Sequence, residues 1–135
     1  MKKFFHIGFS AFFLGLFFTS CHDDEDYQTI ESVEKIKIDS VKVANDTMDV
    51  FTVQSIRTYS TYPSNCQGFY GYDYIYNNNL TRTVTAYKYI SNGPCIQGNY
   101  TGTNQINFSP QQKGTYTFKF WNGGNNWITK NIVVE

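Results

Sequence analysis

The stretch "NFSPQQKGTYTFKFW", residues 107–121, decides the fold class. In its second half, Tyr116, Phe118 and Phe120 alternate with Thr and Lys residues. A period of two residues is typical of a half-buried β-strand, whose side chains point alternately to the core and to solvent. The proline and glycine before this strand mark a turn. The stretch therefore predicts a turn followed by a strand with one aromatic, inward face.

Similar segments recur along the chain, while apolar residues at helical spacing are hard to find. A phase change between Ile38 and Val41 predicts a bulge or break near residues 39–40. "NNNL" (77–80) and "NGGNN" (122–126) predict tight reversals, and residues 96–104 a polar loop. The six other predicted strands lie in "KIKIDSVKV" (35–43), "MDVFTVQSIRTYSTY" (48–62), "GFYGYDYIY" (68–76), "TRTVTAYKYI" (81–90), "QINFSP" (105–110) and "WITKNIVV" (127–134).

About seven strands in roughly 100 residues favour an all-β, antiparallel β-sandwich, although a small barrel fits the same strand count. Residues 107–134 resemble the late strands of bacterial immunoglobulin-like domains. In that family an apolar residue and a proline precede a polar turn, a glycine and an alternating aromatic strand. The resemblance implies an immunoglobulin-like β-sandwich domain over residues 35–135. It also implies that Tyr116 hydrogen-bonds back across the preceding corner, as in a tyrosine corner.

The first twenty residues are typical of a targeting segment. Lys2 and Lys3 give a positive start, and residues 4–18 follow with almost no polar atoms. An apolar run of this length suits a signal peptide, whereas a membrane-spanning helix needs about 20 residues. Thr19 and Ser20 are the small residues that a signal peptidase requires. We therefore predict a signal peptide over residues 1–20, the alternative being an uncleaved membrane anchor.

"FTSC", residues 18–21, resembles a bacterial lipobox, with Phe18 where leucine is more usual. The resemblance implies a lipoprotein in which Cys21 carries a diacylglyceryl group, starts the mature chain and anchors it in the lipid bilayer of the outer membrane. The acidic run that follows is similar to the export signal of Bacteroidota-type surface lipoproteins, which implies a cell-surface location. The alternative is a solvated spacer on a periplasm-facing protein, and in either case residues 21–34 form a lipidated tether. The run comprises Asp23, Asp24, Glu25 and Asp26.

The chain has three cysteines, an odd number for an exported protein. If Cys21 carries lipid, Cys66 and Cys95 remain as a pair that an oxidising exterior allows to form a disulfide. A metal site or a reactive thiol is the alternative, but neither cysteine has a histidine or a second cysteine nearby. Closing a loop of about 30 residues would stabilise the domain by about 3–4 kcal/mol in the chain-entropy model.

The charge of the chain is balanced, with 11 basic and 11 acidic residues. From Lys35 onward nine basic residues face five acidic ones, and the basic residues form no cluster. A nucleic-acid partner requires a concentrated basic patch. The distribution therefore predicts no nucleic-acid binding.

The predicted domain offers little for catalysis. The two histidines, His6 and His22, lie outside it, which argues against the usual Ser-His-Asp and Cys-His mechanisms and against His-ligated zinc. Asp73 is its only acid in mid-strand, and no glycine-rich phosphate loop is present. We therefore predict no catalytic residues, no metal site, no cofactor and no enzymatic activity.

The aromatic residues are more informative, because one small sandwich cannot bury so many of them. Exposed aromatic rings beside Asn and Gly suit stacking on sugars or on a partner protein. The alternative is cross-strand packing of the tyrosines, with one tryptophan in the core and the other partly exposed. The candidate binding residues are Tyr70, Tyr72, Tyr74 and Tyr76 on one predicted strand face, and Trp121 and Trp127 around a turn.

Two further short matches concern modification. "DSV" (39–41) and "DTM" (46–48) are similar to the O-glycosylation motif of Bacteroidota exported proteins. The similarity implies that Ser40 and Thr47 are glycan acceptors.

Two functional classes follow from these observations. The first is a surface-anchored binding module that holds a glycan or protein partner through its aromatic residues. The second is a structural or accessory envelope lipoprotein, a spacer or subunit of an outer-membrane assembly.

Overall fold

The computed structural model describes residues 28–135, which form an all-β sandwich of two sheets. No part of this range forms a helix of the length and apolar character needed to cross a membrane. The nine strands are β1 (Ile30–Ile36), β2 (Ser40–Val43), β3 (Thr47–Met48), β4 (Gln54–Ser64), β5 (Gln67–Tyr76), β6 (Thr81–Ser91), β7 (Gln97–Phe108), β8 (Gly114–Trp121) and β9 (Trp127–Val134).

The larger sheet is built around β6. Strand β5 pairs with β6 along one edge, while β1 and β8 share the other edge, β8 beside the start of β6 and β1 beside its end. Strands β9 and β3 extend this sheet beyond β8, and β2, β4 and β7 form the smaller sheet. Most pairs are antiparallel, with β6–β8 and β3–β9 as parallel exceptions. Two separate sheets make a sandwich and not a closed barrel.

The core lies between the sheets and follows the alternation seen in the sequence. Tyr116, Phe118 and Phe120 of β8 are all buried, as predicted. The Phe118 ring packs edge-on against Phe108 of the other sheet, with ring centroids 4.9 Å apart. Aromatic pairs across the two sheets thus fill much of the interior.

The predicted break near residues 39–40 is confirmed, and it explains part of the larger strand count. The Ile38 N–H donates to Trp121 in the larger sheet, whereas the Asp39 N–H donates to Tyr59 in the smaller one. The chain therefore changes sheets here, which lets both Ile38 and Val41 point into the core. One predicted segment becomes two strands, and the two-residue β3 is a further addition.

Two sequence-based assignments need correction. β1 begins at Ile30, so residues 30–34, assigned to the tether, are strand; the main chain of this stretch pairs with β6. β7 begins at Gln97, so the predicted loop 96–104 is almost entirely strand, paired with β4 through a register shift between Tyr62 and Ser64. In both stretches main-chain hydrogen bonding to a neighbour determines the structure, since their exposed side chains carry no alternating pattern.

The predicted disulfide between Cys66 and Cys95 is present, with Cα atoms 5.4 Å apart. It joins the turn between β4 and β5 to the segment between β6 and β7. Hydrogen bonds surround it: the Ser91 N–H donates to the Cys66 carbonyl at 2.8 Å, and the Ile96 N–H to Asn65 Oδ1 at 2.8 Å. We call this end of the sandwich, where β1 begins and β6 ends, the closed end.

Candidate functional site

The opposite end of the sandwich carries an open cleft of about 830 Å³. The β5–β6 hairpin forms one wall, and the end of β7 with the following turn forms the other. Aromatic rings and amides dominate the lining, and none of the lining residues is acidic. Six of the lining residues supply or position its polar and aromatic groups: Tyr74, Tyr76, Asn78, Arg82, Gln112 and Tyr116.

The asparagine-rich reversal shapes the first wall, as the sequence predicted. Asn78 Oδ1 accepts hydrogen bonds from the N–H groups of Leu80 and Thr81, both at 2.9 Å. Thr83 Oγ1 donates to Asn77 Oδ1 at 2.5 Å. Asparagine favours such turns because its short side chain can bond to nearby main-chain groups. The turn leaves the exposed side chains of Asn78 and Asn79 on the rim of the cleft.

Arg82 lies beneath this wall, only 7% exposed. Its Nη1 donates to the carbonyls of Asn78 at 2.8 Å and Thr81 at 3.2 Å. The guanidinium carbon lies 4.1 Å from the ring centroid of Tyr76 and 5.4 Å from that of Tyr116. These are cation–π distances, so two aromatic rings help to hold the positive charge.

The charge of Arg82 is not neutralised by a carboxylate. Among residues 28–135 no acidic group lies within ion-pair distance of it. Its Nε atom is buried and has no hydrogen-bond partner in the same range. A buried charge without a counter-ion is costly, so such groups are usually paired. Arg82 therefore gives the cleft a net positive wall.

Tyr116 holds the second wall in place. Its hydroxyl donates to the Gln112 carbonyl at 2.9 Å, four residues upstream, which confirms the bond predicted on the resemblance to a tyrosine corner. This bond fixes the turn that presents Gln111 and Gln112 at the rim. Burial raises the pKa of the neighbouring Tyr74 to about 12, and the Arg82 charge acts in the opposite direction. Tyr74 is therefore a neutral phenol at physiological pH.

The four tyrosines of β5 do not form one exposed stripe. A register shift between Phe69 and Gly71 leaves Tyr70 outside the ladder and exposed. Tyr72 and Tyr74 pack against the core, and the Tyr72 hydroxyl is 2.5 Å from Thr58 Oγ1. Tyr76 is 67% exposed and stands at the cleft. The bulge thus separates residues that the sequence placed together.

The two tryptophans lie at the other end of β8 from Tyr116. They face each other across the predicted β8–β9 hairpin, whose turn uses Gly123 and Gly124 at positive φ. Trp121 is half-buried, with its Nε1 donating to the Gly124 carbonyl at 3.0 Å, whereas Trp127 is 44% exposed. Neither lines the cleft.

The remaining predicted positions divide into two groups. Ser40 and Thr47 lie on strands β2 and β3 with exposed side chains. Cys21 and the acidic run Asp23, Asp24, Glu25 and Asp26 lie outside the described residues, as does the signal peptide. Within residues 28–135, no three His, Cys, Asp or Glu side chains come close enough to hold a metal ion.

Sequence reasoning missed Arg82 and the glutamine turn as site residues. A signal for Arg82 was present, because in an alternating strand it shares a face with the apolar residues Val84 and Ala86, and all three are buried. An arginine in phase with core residues indicates a buried cation. No sequence signal marked Gln112, since a main-chain carbonyl and not its side chain contacts Tyr116.

Comparisons with protein-family models, curated proteins and solved structures found no match to this chain.

Proposed function

We propose that this chain is a Bacteroidota-type surface lipoprotein, anchored through acylated Cys21, whose immunoglobulin-like domain binds a glycan or protein partner in the cleft. The proposal takes residues 1–20 as the signal peptide. It takes the acidic run after Cys21 as the export signal to the outer face of the outer membrane.

The observation that carries the proposal is the position of the cleft relative to the start of β1, where the proposed tether would enter the domain. β1 begins at Ile30, which pairs with Ser91 at the end of β6, whereas Arg82 lies at the start of β6. At about 3.3 Å per strand residue, the two ends of β6 are roughly 30 Å apart. A tether entering at Ile30 therefore directs the closed end to the membrane and the cleft away from it.

The lining of the cleft supports binding and not catalysis. It has amides, hydroxyls and aromatic faces, but none of its residues is a carboxylate, a histidine or a cysteine. General acid–base chemistry requires a group that titrates near the working pH. A concave surface with aromatic walls and a few convergent polar groups is the usual form of a ligand site.

Protease shaving of intact cells tests the location. We expect the domain to be digested from outside, leaving an N-terminal fragment whose mass shows lipid on Cys21. Protection of the domain until the outer membrane is broken would contradict surface exposure.

Retention on an array of purified glycans tests the binding site. We expect Tyr76→Ala to reduce retention at least tenfold, because truncation removes the exposed aromatic surface of the cleft. Trp127→Ala is the matched control, since Trp127 is also exposed but lies outside the cleft. Loss only in Trp127→Ala would move the site to the tryptophan hairpin, and equal loss in both variants would contradict a site confined to the cleft.

The structural reading, a periplasm-facing subunit of an envelope assembly, is the second candidate. β7 favours it, because this 12-residue strand pairs with β4 on one edge only within the described residues. It contains no charged residue and no proline, the usual devices that protect an exposed edge. Protection in the shaving experiment, together with self-association in solution, would favour this candidate.

A further inference from the structure

We propose that the cleft binds a carboxylate-bearing saccharide, a glycan of the uronic-acid class, with Arg82 supplying the positive charge opposite the carboxylate. This inference rests on the proposed binding function and names the ligand class of the same site.

The positive charge of Arg82 has no carboxylate partner among the described residues. Arg82 is buried, and its neighbours among the described residues are two carbonyls, two aromatic rings and the Tyr74 hydroxyl, a neutral phenol, so none of them carries a full negative charge. Nε has no partner at all in that range. A carboxylate in the cleft would supply the missing counter-charge. Because the site is partly shielded from water, the attraction would exceed that of an exposed pair.

The aromatic ring of Tyr76 lies beside Arg82 and is open to a ligand. Tyr76 has Arg82 against its ring, yet the side chain is 67% exposed, so the ring offers an open surface to a ligand. Its T-shaped contact with Tyr74, with centroids 5.3 Å apart, keeps the ring oriented. An oriented, exposed aromatic ring provides a stacking platform for the apolar face of a sugar.

The rim of the cleft carries amide groups that suit a sugar. The side chains of Asn78, Asn79, Gln111 and Gln112 are exposed around the cleft. Asn79, Gln111 and Gln112 each offer two donors and one acceptor oxygen, and Asn78, whose Oδ1 accepts from the turn, offers its amide N–H groups. Such groups suit the adjacent hydroxyl groups of a sugar. Arg82 is the single charged residue of the lining. A single cation matches one carboxylate, whereas a sulfated polymer or a nucleic acid calls for a cluster of cations.

The hydrogen bonds of Arg82 to Asn78 and Thr81 suggest a purely structural alternative, in which the residue only clamps the β5–β6 turn. The two roles differ in their consequences. A clamp affects stability and is indifferent to the charge of the ligand. A counter-charge makes binding depend on the carboxylate.

The experiment measures binding of the full-length lipoprotein in detergent to uronic-acid polymers of several sugars and linkages. Each polymer is paired with its carboxyl-reduced, neutral counterpart. We expect at least tenfold tighter binding to one acidic polymer than to its neutral counterpart. Arg82→Gln should remove this preference, and Arg82→Lys should retain part of it because lysine keeps the charge. Thermal unfolding of each variant verifies its fold.

The outcomes separate the inference from the function on which it rests. Equal binding to acidic and neutral polymers, lost in Tyr76→Ala, would overturn the carboxylate and leave glycan binding at the cleft. An acidic preference that survives in folded Arg82→Gln would overturn the role of Arg82. Binding to none of the polymers would overturn the inference. If Arg82→Gln does not fold, the comparison of polymer pairs on the unaltered protein still tests the carboxylate, and Tyr76→Ala tests the site.

Discussion

Two buried polar atoms lack hydrogen-bond partners within residues 28–135, and they belong to different ends of the sandwich. The Tyr62 hydroxyl lies near the closed end, where β4 approaches the disulfide, and Arg82 Nε lies at the cleft. Tyr62 is neutral and its ring stacks on Tyr100 with centroids 5.1 Å apart. Arg82 is charged and lies in the wall of an open space. An unpartnered buried polar atom is thus a consequence of packing at the closed end, whereas at the cleft it belongs to a candidate site.

The closed end also has the stronger cross-links. A disulfide, the Ser91–Cys66 bond and the hydrogen bond from the Tyr100 hydroxyl to the Gln67 carbonyl all lie there. The cleft end is held by turns and by the Tyr116–Gln112 bond. We infer that stability is concentrated at the closed end, whereas the open cleft lies at the other end. Each prediction below changes a residue or a bond and gives the expected effect on stability, and two of them also give the expected effect on ligand binding.

Removal of the disulfide should have the largest effect. The double variant Cys66→Ala, Cys95→Ala frees a closed loop with a sequence separation of 29 residues. We expect the free energy of unfolding to fall by about 3–4 kcal/mol because the unfolded chain gains entropy. Denaturant unfolding measures the loss. Ligand binding at the cleft, measured where the variant is folded, should remain unchanged, and a parallel loss of binding would show that the two ends are coupled.

Gly102→Ala should have the next largest effect. A Cβ at this position would lie 2.7 Å from Cε2 of the Tyr62 ring, which is buried and cannot move freely. Overpacking of this kind costs about 1–3 kcal/mol. Gly71→Ala is the matched control, since nothing lies within 4 Å of its added Cβ. Equal unfolding free energies for the two variants would mean that the Tyr62 ring has room to shift.

The sequence predicted the parts of the fold whose side chains alternate. Residues 115–120 show this best, since every aromatic residue predicted to point inward is buried. It did not predict residues 97–104 of β7 or the start of β1, because those stretches are mostly exposed and are held by main-chain pairing. The bulge at Phe69–Gly71 could not be read from "GFYGYDYIY", whose alternation continues through the register shift. The cleft combines the β5–β6 hairpin with the connection between β7 and β8, which is distant in sequence, so only Tyr74 and Tyr76 were predicted as site residues there.

Tyr116→Phe tests the cleft end by removing one hydroxyl. The hydrogen bond to the Gln112 carbonyl would be lost, and the free energy of unfolding should fall by about 0.5–1.5 kcal/mol. Glycan retention should weaken as well, since the bond positions the glutamine turn. Tyr76→Phe is the control for stability, because the Tyr76 hydroxyl makes no hydrogen bond within the described residues. A drop of the same size in both variants would contradict a specific role for the Tyr116–Gln112 bond.

Tyr62→Phe should have the smallest effect, and its sign is the test. The Tyr62 side chain is 1% exposed and its hydroxyl has no hydrogen-bond partner among the described residues. Burying this hydroxyl costs free energy that no hydrogen bond offsets, and Tyr62→Phe removes that cost. We expect the free energy of unfolding to stay level or rise by up to about 1 kcal/mol. Tyr72→Phe is the matched control: it loses the contact with Thr58 and should be destabilised by about 1 kcal/mol.

The pH dependence of the same variant gives a second readout. Burial raises the pKa of Tyr62 to about 12, and the neighbouring Tyr100 adds to the shift. An unfolded tyrosine ionises near pH 10, so the unfolded state gains from ionisation while folded Tyr62 is still neutral. The stability that comes from keeping Tyr62 neutral is therefore fully present below about pH 10 and is lost as the pH rises toward 12. The free energy of unfolding of Tyr62→Phe should therefore fall less steeply with rising pH over this range than that of the unaltered chain. Destabilisation of Tyr62→Phe at neutral pH would mean that the Tyr62 hydroxyl has a hydrogen-bond partner, and the contrast between the two ends would then rest on Arg82 alone. An unchanged alkaline slope would contradict the raised pKa of Tyr62.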